Sequence, residues 1–233
     1  MKYGGVFITG TDTGIGKTLI AAGLARLLVN RGMKVGVFKP VASDYAKASS
    51  DRSGGLMSED GKLLLKAAKL PNSAYPGIVP VHYLKPLAPY VAGWKEGAVP
   101  LKKIEQAYWK GKASCDFLIV EGVGGIQVPI TQKFFVTDWM KKWKLPVLVV
   151  ARAGLGTINH TLLTVEALQK RKIKVLGVVV NGYKGKTVAE KTNVKALKKL
   201  LKVPVYGPVK FNPKYRANLD LLAKDLSRLG LKF

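Results

Sequence analysis

The nine-residue stretch Gly10–Thr18, GTDTGIGKT, carries the residue types of a phosphate-binding loop, but its first glycine is displaced. The common pattern is G-x-x-x-x-G-K-[ST], and when it is aligned on the final GKT its first position holds Thr11. In such a loop, backbone N–H groups around Gly14 and Gly16 surround the phosphates, the lysine reaches the β- and γ-phosphates, and the threonine hydroxyl binds Mg²⁺. Because the stretch lies between a predicted strand and a predicted helix, we predict a nucleotide site here.

Charged and polar residues at the ends of other predicted strands are further candidates. Glu121 ends the apolar run FLIV, where a carboxylate could bind Mg²⁺ directly or through water, although strand-end acids are also often solvated. Lys39 follows VGVF and could point into the crevice or extend to solvent, with Ser43 just beyond it. Asp60 is a weaker candidate, because acids are common near helix starts. Asn181 could contact a purine edge, but Asn-Gly also forms turns.

The elements that must position these residues alternate between strands and helices. The strands are continuously apolar, which indicates that both faces of the sheet are covered by helices. We therefore predict an α/β fold, with a doubly wound, mainly parallel sheet of the P-loop NTPase type in one domain spanning residues 1–233. Ligands of such sheets bind beyond the carboxyl ends of the strands. The predicted strands are 5–9, 34–40, 116–125, 145–151, 174–182 and 203–209, the predicted helices are 18–32, 58–70 with Ser58 as N-cap, 159–172, 187–201 and 218–230, and 43–57 is predicted to be an exposed loop.

Charge is the unusual feature of the composition. The 233 residues include 39 Lys and Arg against 14 Asp and Glu, a net charge of +25, which would suit a nucleic-acid-binding protein. The lysines are spread along the chain, however, without a basic arm or a repeated aromatic platform. Solvated helix faces are therefore the preferred interpretation, and no specific nucleic acid is expected as a partner.

Other features of the composition point to a protein of the cell interior. No stretch of about 20 apolar residues is free of charge, so no membrane span is expected, and the first residues lack the long apolar region of a secretory signal. Cys115 is the single cysteine and cannot form an internal disulfide, which fits a reducing, cytoplasmic location. The two histidines, His82 and His160, do not form a metal-binding cluster in the sequence.

Four segments together resemble the dethiobiotin synthetase family, whose members use ATP in biotin synthesis. They are FITGTDTGIGKT, VFKPVAS, FLIVEGVGG and GLGTINHTLLTVEAL, and PLAPYVA and VVNG resemble further blocks of that family. The matches occur in the family's order from residue 7 to about 182, whereas the last fifty residues match loosely. The family's loop is G-T-D-T-x-x-G-K-T, which accounts for the displaced glycine. Related partitioning ATPases instead have K-G-G-x-G-K-T, with a second lysine at the position of Asp12.

The resemblance implies a reaction and a set of roles. Members of the family convert 7,8-diaminononanoate, CO₂ and ATP to dethiobiotin, ADP and phosphate, and they act with Mg²⁺ as homodimers that bind substrate at the subunit boundary. Alanine in PLAPYVA and glycine after Asn181 depart from the family's usual residues, which affects base selectivity more than the chemistry. By position, the implied catalytic residues are Lys17 and Lys39; the metal ligands are Thr18, Asp60 (with Glu59 as the alternative) and Glu121; the ATP contacts are Asp12, Thr13, Gly14, Ile15, Gly16, Lys17, Thr18, Leu19, Asp60, Glu121, Gly122 and Asn181; and the substrate contacts are Thr11, Ser43, Gly156, Thr157, Ile158 and Asn159.

Overall fold

A computed structural model describes residues 3–43 and 57–231 of the chain. Its strands are β1 Gly5–Gly10, β2 Val35–Phe38, β3 Val41–Ser43, β4 Val81–Tyr83, β5 Phe117–Gly125, β6 Pro129–Thr131, β7 Phe134–Phe135, β8 Val147–Arg152, β9 Val175–Tyr183 and β10 Val205–Lys210. Its α-helices are α1 Lys17–Val29, α2 Glu59–Ala68, α3 Tyr75–Ile78, α4 Pro89–Glu96, α5 Leu101–Ala113, α6 Val136–Lys142, α7 Thr157–Lys170, α8 Val188–Leu200 and α9 Leu219–Ser227.

Six strands form one parallel sheet in the order β10-β9-β8-β1-β5-β2. β1 lies near the middle, with β8 hydrogen-bonded on one side and β5 on the other, so the order of strands along the chain reverses at β1. Two small sheets, β3–β4 and β6–β7, flank this main sheet. The reversal leaves a crevice beyond the carboxyl ends of β1, β5 and β8, which is where ligands bind in open α/β sheets.

Helices cover both faces of the sheet because its strands are apolar on both sides. In β1, Val6 and Ile8 belong to a core shared with α1, α2 and α9, whereas Phe7 between them belongs to a second core shared with α5, α6, α7 and α8. β5 divides in the same way, with Ile119 in the first core and Leu118 in the second. Successive side chains of a strand point to opposite faces, so this division confirms the predicted doubly wound α/β fold.

The predicted elements are confirmed, but several boundaries shift by up to three residues, and the last helix ends at Ser227 rather than at residue 230. The first helix ends at Val29 rather than at residue 32, and the chain turns at Gly32, whose φ is +81°. The predicted strand 34–40 is shorter, because β2 ends at Phe38 and Pro40 has no N–H to continue the ladder. After Pro40 the chain enters β3, which pairs with β4 outside the main sheet.

Most of the predicted loop 43–57 lies outside the described residues, but both of its ends differ from the prediction. Ser43 closes β3 and is half-buried, and Met57 is buried in the core beneath α2. The elements between residues 71 and 115 and between 126 and 144 were not predicted. Across residues 3–43 and 57–231, none of the helices combines the length and the apolar character needed to cross a bilayer.

Candidate active site

A cleft of about 430 Å³ opens at the carboxyl ends of β1 and β5. Its walls come from the glycine-rich loop and the start of α1, from the segment joining β2 to β3, from the start of α2, and from the end of β5. The residues predicted from sequence that line this cleft are Thr13, Gly14, Gly16, Lys17, Thr18, Leu19, Lys39, Ser43, Asp60, Glu121 and Gly122.

The glycine-rich loop is held in shape by contacts that glycine alone allows. Gly16 has φ +91°, and a Cβ added there would lie 2.2 Å from Nδ2 of Asn181. That nitrogen donates a hydrogen bond of 2.9 Å to the carbonyl oxygen of Ile15, so Asn181 fastens the loop to the end of β9. Lys17 Nζ donates to the carbonyl oxygen of Asp12 at 2.8 Å, which directs its ammonium back along the loop. Burial lowers the pKa of Lys17 below its ordinary value.

The carboxylate of Asp12 organises the first half of the loop. Its Oδ1 accepts a hydrogen bond of 2.7 Å from the backbone N–H of Thr13, and its Oδ2 forms an ion pair with Arg152 at the end of β8. The position that holds a second lysine in the partitioning ATPases is thus occupied here by an acid with its own basic partner. Asp12 lies outside the cleft wall and acts on the loop's conformation.

The ammonium of Lys39 lies between two carboxylates at the base of the cleft. Its Nζ is 2.8 Å from Oδ2 of Asp60 and 2.9 Å from Oε1 of Glu121, and its side chain is only 7% exposed. The Thr18 hydroxyl donates to the same Glu121 oxygen at 2.7 Å. Burial lowers the pKa of Lys39, but the two carboxylates raise it by more than burial lowers it, so the pKa lies above its ordinary value. Burial raises the pKa of Glu121, and the Lys39 ammonium opposes that shift.

Asp60 reaches this cluster because the start of α2 is fixed by side chains. Ser58 caps the helix by accepting a hydrogen bond of 3.1 Å from the N–H of Gly61. The Tyr75 hydroxyl accepts from the Ser58 N–H at 2.7 Å and donates to the Ser58 hydroxyl at 3.1 Å. Glu59, the alternative metal ligand, instead faces outward, where its side chain is 58% exposed and pairs with Lys62 at 3.4 Å. The geometry therefore places Asp60 in the cleft.

The cluster has the donor chemistry of a magnesium site. Two carboxylates and a hydroxyl, from Asp60, Glu121 and Thr18, provide only oxygen donors, which is the ligand type that Mg²⁺ prefers. Oε2 of Glu121 is buried and accepts no hydrogen bond from any described residue. A buried carboxylate oxygen without a donor is a position that a cation would satisfy, so these residues fit Mg²⁺.

Comparisons with known proteins place the chain in a family. A family model described as an AAA domain matches residues 4–218. The chain is 42% identical over 209 residues to the ATP-dependent dethiobiotin synthetase BioD of Endomicrobium trichonymphae, a match that covers 87% of this chain and 91% of that protein. It is 41% identical over 202 residues to the protein of the same name from Aquifex aeolicus, covering 86% of each chain.

The chain belongs to the dethiobiotin synthetase family. Solved structures of more distant proteins share its fold alone. The septum site-determining protein MinD of Pyrococcus horikoshii, complexed with Mg-ADP, has a TM-score of 0.56 at 15% identity, covering 95% of this chain and 85% of that one. A plasmid partition protein of Borrelia burgdorferi has a TM-score of 0.54 at 12% identity, covering 98% and 99% of the two chains.

Several residues implied by the family resemblance lie outside the cleft. Thr11 has a buried hydroxyl without a hydrogen-bond partner among the described residues, and its N–H donates to the Val150 carbonyl at 3.0 Å. Gly156 is the N-cap of α7, with φ +85°, and, being glycine, provides no side-chain cap. The residues that line no part of the cleft are Thr11, Asp12, Ile15, Asn181, Gly156, Thr157, Ile158 and Asn159.

Sequence reasoning did not single out two arginines at this site. Arg152 comes directly after the apolar run VLVVA. Its place at the carboxyl end of a predicted strand could have marked it as a candidate site residue. Arg216 lines the cleft from the loosely matching last fifty residues, where no pattern pointed to it. Pro86, Leu87 and Ala88 also line the cleft, and they belong to the quoted PLAPYVA block.

Proposed function

We propose that this protein is an ATP-dependent dethiobiotin synthetase that acts on 7,8-diaminononanoate. One amine attacks CO₂ to give a carbamate, and a carbamate oxygen then attacks the γ-phosphorus of ATP as the bond to ADP breaks. The second amine attacks the carbonyl carbon of the resulting mixed anhydride, which closes a cyclic urea and releases phosphate. One observation carries the proposal: in a chain of this family, the buried Lys39 ammonium sits between two carboxylates directly beside the phosphate loop.

The charges of the cleft suit a reaction between anions. The carbamate and the triphosphate repel each other, and Lys17 and Lys39 offer two positive charges where they would meet. Because the pKa of Lys39 is raised, its ammonium stays protonated and cannot serve as the base that takes a proton from the substrate amine. Its role is therefore to stabilise negative charge, while the loop and the cleft walls hold the reactants in position.

Mg²⁺ is proposed as the metal, with Thr18, Asp60 and Glu121 as the residues that hold it. When bound, it would neutralise charge on the phosphate oxygens during transfer. A cytoplasmic location goes with this function, since Cys115 has no second cysteine with which to form an internal disulfide.

The test is turnover with labelled bicarbonate. The purified protein, given ATP, Mg²⁺, 7,8-diaminononanoate and labelled bicarbonate, should form ADP, phosphate and labelled dethiobiotin in equal amounts. Omitting the diamine should stop ADP release, because the carbamate is the group that attacks ATP. The products are measured by mass spectrometry and by a coupled assay for ADP.

The alternative function is a nucleic-acid- or surface-associated ATPase switch, which the charge of +25 suggests. Diamine-independent ATP hydrolysis that DNA stimulates would favour the switch and overturn the synthetase. The DNA is added at physiological salt, which controls for non-specific binding. At that salt concentration charges are screened over about 8 Å, so scattered lysines do not act together on DNA. Binding that selects a DNA sequence under these conditions would contradict the synthetase proposal.

The segment from Gly156 to Asn159 is proposed to bind the substrate in a homodimer. It forms the N-terminal end of α7, where no side chain caps the backbone N–H groups. Those N–H groups suit a carboxylate such as the one on the substrate's tail. Beside it, Leu155 is 87% exposed and Leu163 is 57% exposed, an unusual degree of exposure for leucine. We propose that this face packs against a second copy of the chain and that the substrate's carboxylate binds at the boundary.

Replacing Leu163 with Asp is expected to dissociate the dimer, because a charge would be buried in an apolar contact. Sedimentation equilibrium measures the mass of the wild type and the variant. Leu200→Asp is the matched control, since Leu200 is 55% exposed at the far end of α8. A monomeric wild type, or a Leu163→Asp variant that stays dimeric while Leu200→Asp dissociates, would contradict this interface.

A further inference from the structure

We propose that Arg216 is a further phosphate-binding residue, which the C-terminal part of the chain supplies to the ATP. Among the described residues, three cationic side chains line the cleft, namely Lys17, Lys39 and Arg216. The ammonium of Lys17 is bonded to a loop carbonyl, and that of Lys39 is bonded to two carboxylates. Arg216 has neither a hydrogen bond nor a salt bridge within residues 3–43 and 57–231. Its guanidinium is therefore available to a ligand.

The backbone that carries Arg216 is anchored on both sides of it. Tyr215 is buried, and its hydroxyl donates to Asp225 at 2.6 Å. On the other side, the carbonyl oxygen of Ala217 accepts from Nζ of Lys66 at 3.2 Å, and Lys66 belongs to α2. The segment that carries the arginine is thus bonded to α2, the helix whose first turn carries Asp60. An exposed side chain on a fixed backbone can reach a ligand without a rearrangement of the fold.

The position of Arg216 relative to Asp60 indicates which part of the ATP it would meet. Both side chains line the cleft, together with Lys17 and Thr18 of the phosphate loop. The Asp60 carboxylate pairs with Lys39 rather than with Arg216. Since Asp60 is a proposed ligand of the metal on the phosphates, the guanidinium would lie on the part of the cleft that holds the phosphate chain.

Arginine is suited to this task because its planar guanidinium can donate two parallel hydrogen bonds to phosphate oxygens. Arg152 is also near the loop, but its guanidinium already has a carboxylate partner in Asp12. Arg216 would add a third positive charge to those of Lys17 and Lys39, against a triphosphate that carries about four negative charges. This inference deepens the proposed function and rests on it for the identity of the nucleotide.

The test measures nucleotide binding without the diamine, so it does not depend on formation of dethiobiotin. The full chain with Arg216→Ala is titrated with Mg-ATP and with AMP by calorimetry. ATP affinity is expected to fall roughly tenfold to a hundredfold, the range for a lost charged hydrogen bond, while AMP affinity changes much less. Arg216→Lys should restore part of the ATP affinity. The melting temperature without nucleotide should stay the same, since Arg216 has no partner in the described structure.

Lys214→Ala is the matched control, because Lys214 is an exposed cation two residues away that does not line the cleft. It should leave ATP affinity unchanged. Equal ATP affinity of wild type and Arg216→Ala would overturn the assignment of Arg216 but leave the proposed function intact. So would a KM that rises for the diamine but not for ATP, which would indicate a substrate contact. A wild-type protein that failed to bind ATP would instead overturn the proposed function together with this inference.

Discussion

Replacing Lys39 with Met is expected to cut turnover by roughly a hundredfold to a thousandfold while ATP affinity changes only a few-fold. The reason is that the Lys39 charge is needed where the carbamate meets the γ-phosphate, which is a feature of the transition state rather than of bound ATP. Methionine keeps most of the apolar stem of the lysine. The rate constant kcat is measured with saturating diamine, and ATP binding is measured by calorimetry without diamine.

Two comparisons make this result specific. Lys62→Met removes a cation from α2 that pairs with the exposed Glu59 outside the cleft, so its turnover should match the wild type. Lys17→Met should weaken ATP binding as well as abolish turnover, because Lys17 belongs to the phosphate loop. Normal turnover in Lys39→Met would mean that Lys39 serves only as the counter-charge of Glu121 and Asp60.

Stability must be followed in the same experiment. Removing the ammonium of Lys39 leaves Glu121 buried at 1% exposure without its cation, and breaking a buried pair in this way costs about 3–5 kcal/mol. We therefore expect a lower melting temperature for Lys39→Met. Saturating Mg-ATP should recover part of it, because a ligand that binds only the folded state stabilises that state. Circular dichroism at the assay temperature shows whether the variant is folded.

The fold could be predicted because its signals are local. Continuous apolar runs such as FLIV and LPVLVV indicate strands that are buried on both faces, and the parallel sheet follows from their alternation with helices. The phosphate loop could be predicted for the same reason, since GTDTGIGKT is contiguous. The sequence was less informative at Lys39, where spacing alone left the crevice and the solvent equally plausible. The structure places its ammonium in the cleft.

The pairings that complete the site could not be predicted because their partners are far apart in the chain. Arg152 binds Asp12 across 140 residues, and Asn181 bonds Ile15 across 166 residues. Neither contact leaves a periodic pattern, since each depends on where two strand ends meet in the sheet. The family resemblance implied that Asn181 contacts the purine. In this structure its amide nitrogen instead donates a hydrogen bond to the loop, which the sequence did not predict.

Replacing Asp60 with Asn is expected to raise the Mg²⁺ concentration needed for half-maximal turnover by roughly tenfold or more, because one of two carboxylates in the proposed metal site loses its charge. Asparagine keeps the shape of the side chain, and Lys39 keeps its ion pair with Glu121, so the fold should survive. The measurement is initial velocity against free Mg²⁺ at saturating ATP and diamine. Excess Mg²⁺ should recover part of the lost rate.

The neighbouring acid provides the matched control, because Glu59 and Asp60 occupy the same first turn of α2. Changing either one to its amide removes a similar favourable interaction with the helix dipole, worth about 0.3–1 kcal/mol, so that effect cancels in the comparison. What remains is the direction in which each side chain points, toward Lys39 for Asp60 and toward Lys62 for Glu59. Glu59→Gln should therefore need no more Mg²⁺ than the wild type. A higher Mg²⁺ requirement in Glu59→Gln than in Asp60→Asn would reverse the assignment and make Glu59 the metal ligand.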